Sequence, residues 1–329
     1  VFPKSMDEVD IPGLKTPPKA ADSEFETILK LIEKARQPVL YIGGGILSGH
    51  AHEELRAFAE ATGIPVASTL MGLGAFPANH PLSLYWYGMH GTVAGNWAVC
   101  KSDLLIALGA RFDDRVTGDA KTFAPNAKVI HVDIDSAEFN KIRRADVSLR
   151  TNVTEALRQF LKHHTSVASL DAWWREINGW REMYPLVYDA PVAGGPLRPQ
   201  AVIEAIAASA PEGSIVASGV GQHQMWASHF WNFEEPRTWV NSGGAGTMGF
   251  GVPAAIGAKM ARPDAEVWCI VGDGGFQMTQ AELSTAAQEG IKINVAIINN
   301  GYLGMVRQWQ EFFYEKRYAA TPLLGPDFV

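Results

Sequence analysis

The stretch IVGDGGFQMTQAELSTAAQEGIKINVAIINN, residues 270–300, decides how the chain is read. It opens on an apolar strand that runs into Gly-Asp-Gly and closes on one that runs into Asn-Asn. Between them Thr279 and Glu282 have the spacing of a capping box, and Gly290 supplies a helix stop. A strand, a helix and a second strand in this arrangement form the right-handed crossover between parallel strands. Asp273 and Asn300 are then predicted at neighbouring strand tips, on the edge where open α/β sheets bind ligands.

Outward from this unit the same alternation continues. PVLYIGGG (38–45), IPVAST (64–69), DLLIALGA (103–110) and KVIHVDID (128–135) read as apolar strands ending in small or polar residues. FETILKLIEKA (25–35, with a capping-box pattern at Ser23 and Glu26) and AHEELRAFAEATG (51–63) read as helices. GSIVASGV (213–220), RTWVNS (237–242) and EVWCIVGD (266–273) repeat the strand pattern, with helices at PQAVIEAIAASA (199–210) and PAAIGAKMA (253–261). Strands apolar on both faces and alternating with helices predict an α/β fold of two Rossmann-like, three-layer domains with parallel sheets. The predicted division is a linker at 1–23, a first domain at 24–165, a connecting segment at 166–195 and a second domain at 196–329. The connecting region holds Trp173, Trp174 and Trp180, which are expected to pack between domains rather than cage a ligand.

Composition narrows the function. The 329 residues are 47% hydrophobic and 19% charged, as in ordinary globular proteins. A net charge of -7 argues against nucleic-acid binding, and no apolar run is long enough to span a bilayer. Cys100 and Cys269 form neither a disulfide framework nor a zinc spacing, so both are expected in the core. Most of the nine His have surface-like settings: His50 and His52 on a turn, His163 and His164 at a helix end. His223 is the exception, because it follows a strand end.

A carboxylate and an amide oxygen at adjacent strand tips suit Mg²⁺, which usually also takes phosphate oxygens. Gly272, Gly274 and Gly275 would let the backbone approach a diphosphate at a helix N-terminus. The competing reading is a pair of ordinary strand-end turns. GGAGTMGFG (243–251) matches a dinucleotide fingerprint at Gly244, Gly246 and Gly249, with Asp264 and Glu266 near the acidic position. Those acids precede the next strand instead of ending it, so packing of this turn and Met248 against a cofactor ring fits better than nicotinamide binding. Gly43, Gly44 and Gly45, the segment 109–118 and Asp133 also fall at strand ends, where a nucleotide's phosphates and ribose bind. Arg111 and Arg115 either ligate phosphate or carboxylate groups or pair with Asp113 and Asp114 on a solvated loop.

Taken together, these motifs resemble the thiamine diphosphate enzymes, and among them the acetohydroxyacid (acetolactate) synthase catalytic subunits. The resemblance rests on PVLYIGGG, TGIPVASTLMGLGAFP, GMHGTV, ARFDDRVTG, HVDIDSAE, GVGQHQMW, GAGTMGFGVPAAIGA and NNGYLGMVRQWQ. It implies a carboligase that decarboxylates pyruvate on thiamine diphosphate and joins the two-carbon unit to pyruvate or 2-ketobutyrate, in branched-chain amino acid synthesis. It also implies bound Mg²⁺ and FAD, a homodimer or homotetramer and a possible small regulatory subunit; the lack of a signal- or transit-peptide pattern at residues 1–25 gives the expectation of a cytoplasmic location.

Residue by residue, the resemblance places Mg²⁺ on Asp273, Asn300 and the Tyr302 carbonyl. Thiamine diphosphate falls to Val220, Gly221, Gln222 and His223, to Gly272, Gly274 and Gly275, and to Gly304 and Met305; Gly246 and Met248 support its bent conformation. FAD falls to Gly43, Gly44, Gly45, Thr69, Leu70, Met89 and His90, then to Gly109, Ala110, Arg111, Asp113, Arg115 and Val116, and to Asp133 and Ile134. Substrate and inhibitors meet Arg115, Met305, Val306 and Trp309. The family's catalytic glutamate belongs to an N-terminal domain that this sequence does not contain, so no catalytic acid is expected in it and the 329 residues alone are expected to be inactive. Two readings compete: a related FAD-dependent pyruvate oxidase or glyoxylate carboligase, and a non-catalytic module that binds the two cofactors.

Overall fold

The computed structural model describes residues 22–163 and 167–328. The expected linker, apart from its last two residues, and His164 lie outside the described residues. Chain contacts divide the protein into two units: residues 1–72 with 87–184, and residues 73–86 with 185–329.

The first unit contains helices α1 (Asp22–Lys34), α2 (Gly44–Ser48), α3 (His52–Thr62), α4 (Val93–Lys101), α5 (Asp114–Thr117), α6 (Val153–Lys162) and α7 (Asp171–Met183). Its strands are β1 (Pro38–Ile42), β2 (Val66–Ser68), β4 (Leu104–Leu108), β5 (Lys128–Asp133) and β6 (Val147–Arg150); β3 (Ser83–Trp86) lies in the 73–86 segment that groups with the second unit. The strands of the first unit run β2–β1–β4–β5–β6, every pair parallel. Each residue of β1 and β4 is buried, which is why both read as unbroken apolar runs. The chain leaves β1 toward β2 and later returns to β4 on its other side. The switch point of the topology is therefore the gap between the carboxyl ends of β1 and β4.

The second unit carries α8 (Pro199–Ser209), β7 (Ile215–Ser218), α9 (Gln222–Phe230), β8 (Trp239–Asn241) and α10 (Gly251–Ala261). It continues through β9 (Val267–Gly272), α11 (Asp273–Thr279), α12 (Glu282–Gln288), β10 (Asn294–Ile298) and α13 (Gly304–Phe313). Its sheet runs β10–β9–β7–β8, again all parallel. Here the switch point lies between β7 and β9. A core of Ile215, Val252, Val267, Cys269 and Val271 joins these strands to α10.

Several local expectations change. No capping box forms at Thr279: the chain turns helical at Asp273 itself, and the N-cap of α12 is Ala281. The Thr279 hydroxyl donates to the Gly249 carbonyl, 2.9 Å away, and so serves tertiary packing. Ser23 lies inside the first turn of α1 and does not cap it. Cys100 is exposed on α4, against the expectation of a core thiol, while Cys269 is buried and its thiol is pushed up to about 12 by desolvation. His52 begins α3 rather than sitting on a turn. The tryptophans of α7 pack on the first unit: Trp173 donates to the Pro38 carbonyl at 3.2 Å and Trp174 to that of Gly63 at 2.9 Å.

Candidate functional site

The register of β9 against β10 sets the site of the second unit. Gly272 pairs with Ile298 at the end of the ladder, so Asp273 and Asn300 both lie just past it on one edge. Asp273 is 2% exposed and opens α11, where free N–H groups favour negative charge. Asn300 is exposed; its Oδ1 accepts from the Tyr302 N–H at 3.0 Å and its Nδ2 donates to Gln222 Oε1 at 3.4 Å.

One cleft gathers these groups. Val220, Gly221, Gln222 and His223 enter from the end of β7, and Gly272 through Gly275 from the end of β9. Asn300, Tyr302 and Gly304 close it beyond β10, and Met248 lines it after β8. Met305 and Val306 lie at its mouth and also line a neighbouring hollow with Trp309, Tyr314 and Arg317. Gly246 does not line the cleft; it shapes the turn before α10 at φ 67°, with its N–H on the Ser242 carbonyl. The cleft also includes Trp226, Ile298 and Leu303. Their apolar spacing had marked them only as ordinary strand, helix and turn residues.

His223 is the titratable group to watch. It is 7% exposed, packed against Gly219, Gly221 and Gly272, and its Nε2 has no hydrogen-bond partner in the protein. Burial pulls its pKa down to about 4, partly opposed by the Gly219 backbone. The folded chain thus resists a proton that the unfolded chain accepts near 6.5. This contribution to stability is complete above pH 6.5 and is lost as pH falls toward 4, by about 3 kcal/mol. Denaturant unfolding at pH 7 and pH 4.5 is expected to show that loss, and His223→Asn is expected to flatten it.

Cofactor fit follows from these observations. One buried carboxylate, one amide oxygen and one main-chain carbonyl form a hard donor set of the kind Mg²⁺ takes, with room for phosphate oxygens. Among the described residues no group of three or more His, Cys, Asp or Glu side chains converges. His223, whose Nε2 is buried without a hydrogen-bond partner, lines the same cleft. Asp264 and Glu266 lie at the opposite edge of β9, on an Arg262 ion pair and a Trp268 hydrogen bond, which removes the nicotinamide reading.

In the first unit the sequence-predicted residues collect at the carboxyl edge around the β1–β4 switch point. Gly43, Gly44 and Gly45 follow β1, Thr69 and Leu70 follow β2, Gly109 through Val116 follow β4, and Asp133 and Ile134 end β5. Part of the glycine run is needed for packing. The N–H groups of Gly43 and Gly45 donate to the carbonyls of Leu108 and Gly109, and a Cβ on Gly45 would stand 2.5 Å from Gly109 Cα. Met71, Met89 and Ile134 leave large apolar surfaces exposed near this edge, a setting suited to a flat ring. Arg111 forms an ion pair with Asp113, which also N-caps α5. Burial and the Arg115 charge lower the pKa of His90, while burial raises that of Asp133.

Phe112 holds the arginine loop in place. It is 1% exposed and adopts φ 55°, a left-handed conformation that costs a non-glycine residue energy. Edge-on ring contacts with Tyr41, Phe123 and His131 fix it there. His131, fully buried, also meets the Ala110 carbonyl through Nε2 at 2.9 Å.

Comparisons with known proteins agree with this geometry. Residues 25–160 match the family model of the thiamine pyrophosphate enzyme central domain. Residues 219–329 match that of the thiamine pyrophosphate enzyme C-terminal TPP binding domain. The chain is 53% identical to an acetolactate synthase of Mycobacterium leprae, over 98% of this chain and 53% of that protein. It is 52% identical to the acetolactate synthase large subunit of Corynebacterium glutamicum, over 98% of this chain and 53% of that protein. It is 46% identical to a chloroplastic acetolactate synthase of Arabidopsis thaliana, over 96% of this chain and 48% of that protein. The chain spans about half the length of the curated relatives it matches.

Proposed function

From the premise that this chain belongs to the thiamine pyrophosphate enzyme family, we propose that it supplies the cofactor-holding part of an acetolactate synthase catalytic subunit. The observation that carries the proposal is the meeting of Asp273, Asn300 and Tyr302 with Gln222 and His223 in one cleft at the β7–β9 switch point. Asp273, Asn300 and the Tyr302 carbonyl hold Mg²⁺. The turn after β7 and the start of α11 hold the diphosphate. When bound, thiamine diphosphate supplies a nucleophilic carbon that accepts the acyl unit of a 2-keto acid.

The protein residues then have distinct tasks. The α11 N-terminus offsets phosphate charge, and Asp273, the buried member of the donor set, brings its charge to the metal. His223, neutral at working pH, offers Nε2 without bringing a second cation beside Mg²⁺. Met248 supports the cofactor from the side. Met305, Val306 and Trp309 form the apolar wall that receives the two keto acids, pyruvate as donor and pyruvate or 2-ketobutyrate as acceptor. In the first unit, Arg111 and Asp133, at the carboxyl edge of β4 and β5, would be among the residues that hold FAD. Arg115 binds the acceptor's carboxylate.

A dimer or tetramer of catalytic subunits and a regulatory subunit belong to the same reading and rest on the resemblance alone; a cytoplasmic setting is proposed beside them. Among the described residues no helix is long and apolar enough to cross a membrane. Product analysis on the full-length protein tests the proposal. Acetolactate from pyruvate is the expected result; acetyl phosphate with peroxide, or tartronic semialdehyde from glyoxylate, would replace this reading with an oxidase or a glyoxylate carboligase.

A further inference from the structure

Gln308 was singled out by no motif, yet it ends a chain of amides that starts at a metal ligand. Asn300 Nδ2 donates to Gln222 Oε1 at 3.4 Å, and Gln222 Nε2 donates to Gln308 Oε1 at 2.8 Å. The direction of this chain matters. An amide has an oxygen end that ligates a hard cation and a nitrogen end that does not. Asn300 is exposed, so burial does not choose which end faces the cleft. Its neighbours do. The Tyr302 N–H requires the oxygen on one side, and Gln222 Oε1 requires the nitrogen on the other. Gln222 is an amide with two unlike ends too, and the Gln308 oxygen, which accepts from its nitrogen at the shorter distance, holds its oxygen toward Asn300.

We infer that Gln308 is a positioning residue for the metal site, holding Gln222 and through it Asn300 so that the asparagine oxygen faces the cation. Gly304 leaves space for this relay: a Cβ there would run into Gln222 Oε1 and stand 2.8 Å from Asn300 Nδ2. Gln308 lies on α13 beside Trp309, so the relay also ties the helix bearing the apolar substrate wall to the metal. Partners behind metal ligands typically contribute tenfold to a hundredfold to metal affinity.

The inference rests on the proposed Mg²⁺ site, and the test separates the two. Mg²⁺ is titrated into the full-length protein with excess thiamine diphosphate, and its dissociation constant is read by calorimetry. Gln308→Met, similar in size but a poor acceptor, is expected to weaken Mg²⁺ about tenfold. Gln308→Glu, which can only accept, is expected to stay within about twofold of the native value, because it locks Gln222 in the same direction. Gln308→Ala is expected to match the Met variant, which covers a folding defect in either one. Joining Gln308→Met to Gln222→Leu is expected to add nothing beyond the Gln222 change, since both cut one relay. Native affinity in Gln308→Met and Gln308→Ala overturns the inference, as does a Glu variant as weak as Met. A native protein that binds no Mg²⁺ with thiamine diphosphate, and is indistinguishable from Asp273→Ala, overturns both the inference and the metal site beneath it.

Discussion

Asp273→Ala in the full-length protein is expected to weaken Mg²⁺-dependent binding of thiamine diphosphate by more than about a hundredfold. Asp273 is the one carboxylate of the donor set, it is 2% exposed, and it stands at the start of α11, where metal and diphosphate meet. Removing it deletes the one side-chain charge that offsets Mg²⁺. Asp273→Asn keeps the shape and is expected to lose nearly as much, since a neutral amide does not replace the charge. The effect is specific to the ligand: without metal, both variants are expected to unfold within about 1 kcal/mol of the native protein, the size of a lost helix-terminal charge. Calorimetric titration with and without Mg²⁺ measures one quantity, and denaturant unfolding measures the other. Tight Mg²⁺-dependent binding by Asp273→Ala would overturn the site.

Two adjacent glycines are expected to respond in opposite ways. Gly45→Ala places a methyl group 2.5 Å from Gly109 Cα and 3.1 Å from its carbonyl carbon. Both neighbours are backbone, at a residue whose own φ is 58°, so neither yields without opening the β1–β4 switch point. The expected cost is about 3 kcal/mol of stability, at the upper end of overpacking effects. Gly44→Ala meets only Met71, no nearer than 3.4 Å, and is expected to stay within about 0.5 kcal/mol of native. Unfolding midpoints of the two variants in the full-length protein check this. Equal midpoints would mean that the glycine run is not packed as described.

The sheets were readable because parallel strands covered on both faces leave unbroken apolar runs such as LLIAL, residues 104–108. The strand tips of the second site were readable for the same reason, since strand ends fix which residues share an edge. Local signals did less well where tertiary contacts competed. Thr279 has capping chemistry, but its hydroxyl is engaged by the Gly249 carbonyl, 30 residues away in the chain. Cys100 lies in an apolar stretch, yet α4 turns it outward. The triple glycine read as a phosphate loop, whereas two of its N–H groups are taken by the β4 turn. Gln308 was invisible because nothing nearby in sequence announces a partner at Gln222.

The left-handed Phe112 has a consequence for how substitutions combine. Its backbone energy is held by the rings of Tyr41, Phe123 and His131, so loop and core share one term in the free energy. Phe112→Gly removes both the strain and the anchor, and after it the loss of the Tyr41 ring costs less than it does in the native background. Epistasis of this kind ties the sequence of the β1 strand to that of the arginine loop. Tyr41 and Phe112 then change most cheaply as a pair, although both side chains are buried away from any ligand that reaches the loop.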